Sequence, residues 1–156
     1  MRKIFSFFLC ITLASLVFSQ ELLPSQITGN NLRSLLNNDY RSICTLTEDD
    51  DLKITTDDFK IFVEIDAKRQ LLRFHTGWKK SDMISDSRLY KIMNEWNSNK
   101  IFCTAAYYKN DGAIRLEHYV CTDGGINAEN LNGTIEWVLS IAKGFEKYLT
   151  EEDAYN

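Results

Sequence analysis

Three of the four cysteines, two histidines and two acidic runs are the residues of this chain whose types could do chemistry; the fourth cysteine, Cys10, lies in the apolar run at the start. Cys44, Cys103 and Cys121 are far apart and form no CxxC pair, so thioredoxin-like exchange has no motif here. His75 and His118 are the only histidines, too few beside scattered cysteines to build a zinc site. A cysteine–histidine nucleophile needs the two side chains within hydrogen-bond reach and a third group to orient the base. Cys121 and His118 are three apart on one predicted strand and so point to opposite faces. Cys103 could meet His118 only in one hairpin register, and no orienting partner is visible. His118 shares a face with Ile114, Leu116 and Val120 and is expected as a hydrogen-bonded core histidine. His75, near a strand end beside Trp78, is expected at the surface or rim.

The Glu48-Asp49-Asp50-Asp51 run lacks what a calcium loop needs: alternating ligands, a glycine at the sharp turn and a distal glutamate. A solvated hairpin turn is the expectation. Asn132-Gly133-Thr134 spells a glycosylation sequon inside a predicted helix and is read as incidental. No metal, cofactor or catalytic residue is therefore assigned.

Two other sets of residues matter more. In an oxidising compartment, three cysteines leave a disulfide among Cys44, Cys103 and Cys121 open, with the pairing set by register. A three-residue hairpin loop puts Cys103 and Cys121 on one face, whereas a two- or four-residue loop separates them. Among the aromatics, Trp96 belongs to an apolar helical stripe and is expected inside. Trp137 lies off the stripe of its helix, and Trp78 follows Gly77 at a strand end. These two, Trp78 and Trp137, are the candidate interaction surface.

The elements that must position these residues begin after an export signal. Arg2 and Lys3 precede an apolar run from Ile4 to Phe18, and Val17-Phe18-Ser19 suits cleavage before Gln20. The run is shorter than the roughly 20 residues of a spanning helix, so residues 1–19 are read as a signal peptide rather than an anchor. Cleavage leaves 137 residues, room for one domain. It also leaves sixteen basic against twenty-two acidic residues, a net of −6, which argues against nucleic acid or an anionic membrane surface as partner. Residues 20–26 form a short lead, 27–150 a single domain and 151–156 an acidic tail. The product is expected to be periplasmic or secreted.

Within the domain, Thr28 reads as the N-cap of a helix carrying Leu32, Leu35 and Leu36 and ending near Asn37-Asn38. "YRSICTL", "LKITTDD", "FKIFVEID" and "QLLRFHTGW" read as strands. Ser81 or Ser85 caps a second helix whose Leu89, Ile92, Met93 and Trp96 make one stripe. "IFCTAAYY", the turn "KNDG" and "AIRLEHYV" form a hairpin. Asn127 opens the last helix, striped by Leu131, Ile135, Val138, Ala142, Phe145 and Leu149. The order helix, strands, helix, hairpin, helix predicts an α+β fold with a mostly antiparallel sheet.

"ITGNNLRSLLNNDY", "IMNEWNSNKIFCTAAYYKNDGAIRLEHYV" and "GGINAENLNGTIEWVLSIAKGFEKYL", in that order, resemble the exported branch of the YbjN family, also labelled bacterial sensory transduction regulators. The resemblance spans Ile27 to Leu149, and its most specific piece is Asn94-Glu95-Trp96-Asn97. Two features depart from it. Exported relatives often carry a cysteine pair in and just after the third strand, absent from "FVEIDAKRQLLRF", and a glycine where Asp39 precedes Tyr40. The resemblance implies a fold similar to type III secretion chaperones, a regulatory or protein-binding role and no catalytic residues. By analogy with those chaperones it also implies a protein partner and a homodimer. A small-ligand sensor, with a metabolite held between sheet and helices near Tyr107 and His118, is the alternative.

Overall fold

The computed structural model describes residues 21–155, so the expected signal peptide lies outside the described residues. The strands are β1 (Glu21–Leu22), β2 (Cys44–Leu46), β3 (Leu52–Thr55), β4 (Lys60–Asp66), β5 (Leu71–Lys79), β6 (Thr104–Tyr108), β7 (Ala113–Cys121) and β8 (Ile126–Asn127). The helices are α1 (Gly29–Leu35), α2 (Asn38–Ser42), α3 (Asp86–Asn99) and α4 (Ala128–Glu151). Six strands form one antiparallel sheet in the order β2-β3-β4-β5-β7-β6, and β1 pairs with β8 apart from it. The expected α+β class and element order hold.

The caps explain where the longer helices begin. Thr28 Oγ1 accepts from Asn31 N at 3.2 Å, Ser85 Oγ from Arg88 N at 3.2 Å and Asn127 Oδ1 from Asn130 N at 2.8 Å. Each such cap is worth about 1 kcal/mol. Behind them the apolar stripes are buried: Leu131, Ile135, Val138, Ala142, Phe145 and Leu149 of α4, and Leu89, Ile92, Met93 and Trp96 of α3. They pack on the sheet side chains that register places on one face, including Ile54, Ile61, Val63, Leu72, Phe74, Ile114 and Leu116. Each fully buried aliphatic or aromatic side chain contributes about 1.5–3 kcal/mol. Trp96 locks the two helices together, its ring 4.7 Å from Phe145 and 5.6 Å from Tyr148.

Four segments differ from expectation. Asn37 caps a new helix, accepting from Tyr40 N at 2.9 Å, so Tyr40–Ser42 is helical and the first strand shrinks to β2. Residues 21–26 are part of the fold, because β1 pairs with β8 and Pro24 opens a 3-10 turn. Gly125, at φ 90°, is where β1 passes so close that a Cβ would lie 2.5 Å from Leu22 O. The acidic run is structural rather than merely solvated. Asp50 accepts from Gly29 N at 2.9 Å, where a Cβ on Gly29 would collide with Asp50 O, and Asp51 accepts from Ile65 N at 2.8 Å. The expected tail folds back: Ala154 is fully buried and its carbonyl accepts from Ser81 N at 3.0 Å.

Candidate interaction surface

With the helices covering one face, the alternate side chains of the sheet make the other. Register sets Phe62, His75, Glu117 and Thr104 in one row across four strands, and Glu64, Arg73 and Tyr119 in the next. Arg73 is the hub. Its guanidinium donates to Glu64 at 2.7 Å, to Glu117 at 2.5 Å and to the Tyr108 hydroxyl at 3.1 Å. The hydroxyls of Tyr108 and Tyr119 donate to Glu117 at 2.5 and 3.1 Å. His75 Nε2 lies 2.8 Å from Glu64 Oε1. The Phe62 ring stacks on His75 with centroids 5.1 Å apart, and the Arg115 guanidinium sits 4.3 Å over the Tyr108 ring.

The electrostatics follow from burial opposed by these bonds. Burial pushes the Glu117 carboxyl up, but the donations of Tyr108 and Arg73 outweigh it and hold the group below the usual glutamate range. Glu64 is lowered in the same way, with Arg73 and His75 overcoming burial. Burial lowers His75 despite the attraction of Glu64, which favours a neutral ring donating Nε2–H to that carboxylate. The acids and the two terminal nitrogens of the Arg73 guanidinium are thus satisfied by one another, while its buried Nε has no partner. Such an array presents rigid aromatic and guanidinium surfaces rather than a poised acid, base or nucleophile. Beside it opens a groove of about 670 Å³, with His75, Gly77, Lys79 and Arg115 among its lining residues.

The sequence-predicted residues fall in different places. Trp137 is exposed, at 62%. Trp78 is not: it is 9% exposed, 5.2 Å edge-on to Phe145, and its Nε1 donates to Glu146 at 3.2 Å. The reason is register, since β5 continues to Lys79 and Trp78 shares the helix-facing side with Phe74 and Thr76. His75, expected at the surface or rim, is buried in the network above. His118 is half-buried on the helix-facing side, its Nδ1 2.6 Å from the Phe102 carbonyl and its ring 3.9 Å from Phe102. Cys44, Cys103 and Cys121 are all free thiols. The hairpin turn has four residues between Tyr108 and Ala113, the case that separates Cys103 from Cys121. Burial pushes the Cys103 thiol up to about 12, so it is no activated nucleophile beside His118.

Sequence reasoning missed the Glu64–Arg73–Glu117 hub, although opposite charges at alternating positions of three strands carried the signal. It also missed the role of Asn97, singled out only as part of the Asn94-Glu95-Trp96-Asn97 run. The Asn97 amide grips Ala105 from both sides, accepting from its N at 2.8 Å and donating to its O at 2.9 Å. Asn132 is similarly spent, joining α4 to the end of α1 through Asn37 N and Leu35 O, both at 2.9 Å. Among the described residues, no cluster of three or more histidine, cysteine or acidic groups is placed to hold a metal.

Comparison with known proteins adds the following. The YbjN family model, described as "Putative bacterial sensory transduction regulator", matches residues 33–151. No curated protein matches the chain by sequence. A chain from the HopA1–SchA chaperone–effector complex superposes with a TM-score of 0.55 at 13% identity, covering 78% of this chain and 98% of that one. A chain from the ExsC–ExsE complex gives a TM-score of 0.60 at 13% identity, covering 76% of this chain and 93% of that one. At that identity the likeness speaks for the fold.

Proposed function

The chain belongs to the YbjN family, and from that premise we propose that it is a non-enzymatic, exported domain that works by binding another protein, in a chaperone-like or regulatory role. The observation that carries this is the uncovered sheet face, where Phe62, Tyr108, Tyr119 and Arg115 stand on a hydrogen-bonded hub. Surfaces of rigid aromatic and arginine side chains are where binding energy concentrates in protein contacts. The fold shared with chains of a chaperone–effector complex and the ExsC–ExsE complex supports the same direction. A homodimer is part of this proposal, as is export by cleavage before Gln20. The space between sheet and helices, where a metabolite sensor would hold its ligand, is filled by side chains such as Phe74, Phe145 and Leu116 with no exposed surface.

The test is affinity capture from the cell envelope fraction with the mature protein, followed by titration calorimetry against the partner identified. Tyr108→Ala with Arg115→Ala is expected to weaken binding about tenfold or more while the chain stays folded. Unchanged affinity would move the site off the sheet face. A metabolite that raises the melting temperature by several degrees, with no protein captured, would replace this reading by a ligand sensor.

A further inference from the structure

We propose that the solvent-facing side of α4 is the contact between two copies of this chain, with the helices antiparallel about a two-fold axis near Ser140. This rests on the homodimer proposed above and adds where the copies meet.

The helix carries two glycines that nothing inside the chain requires. A Cβ at Gly133 or Gly144 would meet no atom within 4 Å, yet each glycine weakens the helix relative to alanine. Gly133 lies four residues before Trp137 and Gly144 seven after, so all three share one side of the helix. Trp137 is exposed there, and its ring leans on Phe102 at 5.7 Å, which Phe102 in turn stacks on His118. The side chain is therefore a backed, fixed knob, and the glycines are notches beside it.

Charge selects the occupant. Along the neighbouring edge of the same side, Glu136 lies toward the start of the helix and Lys143 and Lys147 toward its end. An antiparallel pairing about Ser140 mirrors position 136 onto the space between Lys143 and Lys147, and Trp137 onto the Gly144 notch. Each pairing occurs twice by symmetry, as a self-complementary interface requires. A parallel pairing would set glutamate on glutamate. Glu136 makes no ion pair among the described residues. Lys143 and Lys147 are held only by exposed partners within the chain, Asp58 at 3.1 Å and Glu151 at 3.9 Å. Such contacts are weak and exchangeable.

Sedimentation equilibrium of the mature protein reads the result directly. Gly144→Leu should fill the notch and shift the protein to monomer while leaving the melting temperature equal or higher, because leucine suits an exposed helix better than glycine. Glu136→Lys and Lys147→Glu should each raise the dimer dissociation constant about tenfold at low salt, and the two combined should restore it. Ser140→Cys, in a Cys121→Ser background with copper–phenanthroline as oxidant, should give a single covalent dimer. If the wild type is monomeric at all concentrations, the homodimer and this interface both fall. If it dimerises but the charge swap has no effect and Ser140→Cys does not cross-link, this interface alone falls. Partner titration on the same variants reports on the sheet-face reading independently.

Discussion

Replacing Arg73 by methionine is expected to destabilise the fold by about 3 kcal/mol at neutral pH and by much less in acid. The Arg73 side chain is 18% exposed and lies 2.5 Å from Glu117, itself 7% exposed. Removing one partner of a buried ion pair leaves an uncompensated charge, at a cost of about 3–5 kcal/mol. The lower end applies because Tyr108 and Tyr119 still donate to Glu117 and the more exposed Glu64 can turn to water and His75. In the wild type both carboxyls are lowered, so their contribution is present at neutral pH and is lost as pH falls through their folded values. Without Arg73, Glu117 keeps the upward push of burial and loses two of the influences that lower it, so its folded value moves up from that of the wild type. The penalty of that buried charge then disappears on protonation. The gap between the two proteins should accordingly be widest near neutrality and close as pH falls below the ordinary glutamate value of 4.5. Urea unfolding followed by tryptophan fluorescence measures it on both sides of that value. Arg73→Met with Glu117→Met, which removes both charges, should recover most of the loss. A gap below about 1 kcal/mol at neutral pH, or one that does not change on acidification, would refute the buried-hub argument.

Trp78→Ala should cost about 3–5 kcal/mol in the same unfolding assay, while Trp137→Ala should stay within about 0.5 kcal/mol for the monomer. Equal losses would contradict their placement inside and outside the core. Asn97→Ala, which frees both the N–H and the carbonyl of Ala105, should destabilise by about 1–3 kcal/mol and promote aggregation visible by light scattering. In a native thiol titration Cys121 should react first, with Cys44 and Cys103 reacting only after denaturant is added. Rapid labelling of Cys103 in the folded protein would show that its site opens.

What the sequence revealed depended on whether a residue's role was local. The stripes of α3 and α4 and the caps Thr28, Ser85 and Asn127 could be read because they depend on neighbours within one or two helical turns. Roles that depend on register could not. Trp78 looked exposed because it seemed to be the last residue of its strand. One further residue of pairing, Lys79 with Ala113, keeps it on the buried face. His75 was misplaced for the same reason, since its partner Glu64 lies on another strand. The second helical turn at Asn38 escaped because asparagine serves equally at a helix end and at a helix start. Trp137 was placed outside by its own helix alone, and there the local pattern sufficed.

The Asn94-Glu95-Trp96-Asn97 run gains meaning from this distinction. Trp96 faces Phe145, Glu95 accepts from the Tyr148 hydroxyl at 3.3 Å, and Asn97 occupies the outward hydrogen-bonding groups of Ala105. Those groups belong to the second residue of β6, an edge of the sheet, where another chain would otherwise add a strand. The opposite edge, β2, is three residues long and offers little to a pairing strand. Strand addition is therefore hindered at the start of one edge and has only three residues to pair with at the other, which favours recognition by faces. Two faces are uncovered: the charged and aromatic side of the sheet, and the Trp137 side of α4. Under the two proposals made above, α4 would take a second copy and the sheet face a different protein, and both can be occupied at the same time. The Asn94–Asn97 run thus acts at a distance from both surfaces, by occupying part of the sheet edge that would compete with them.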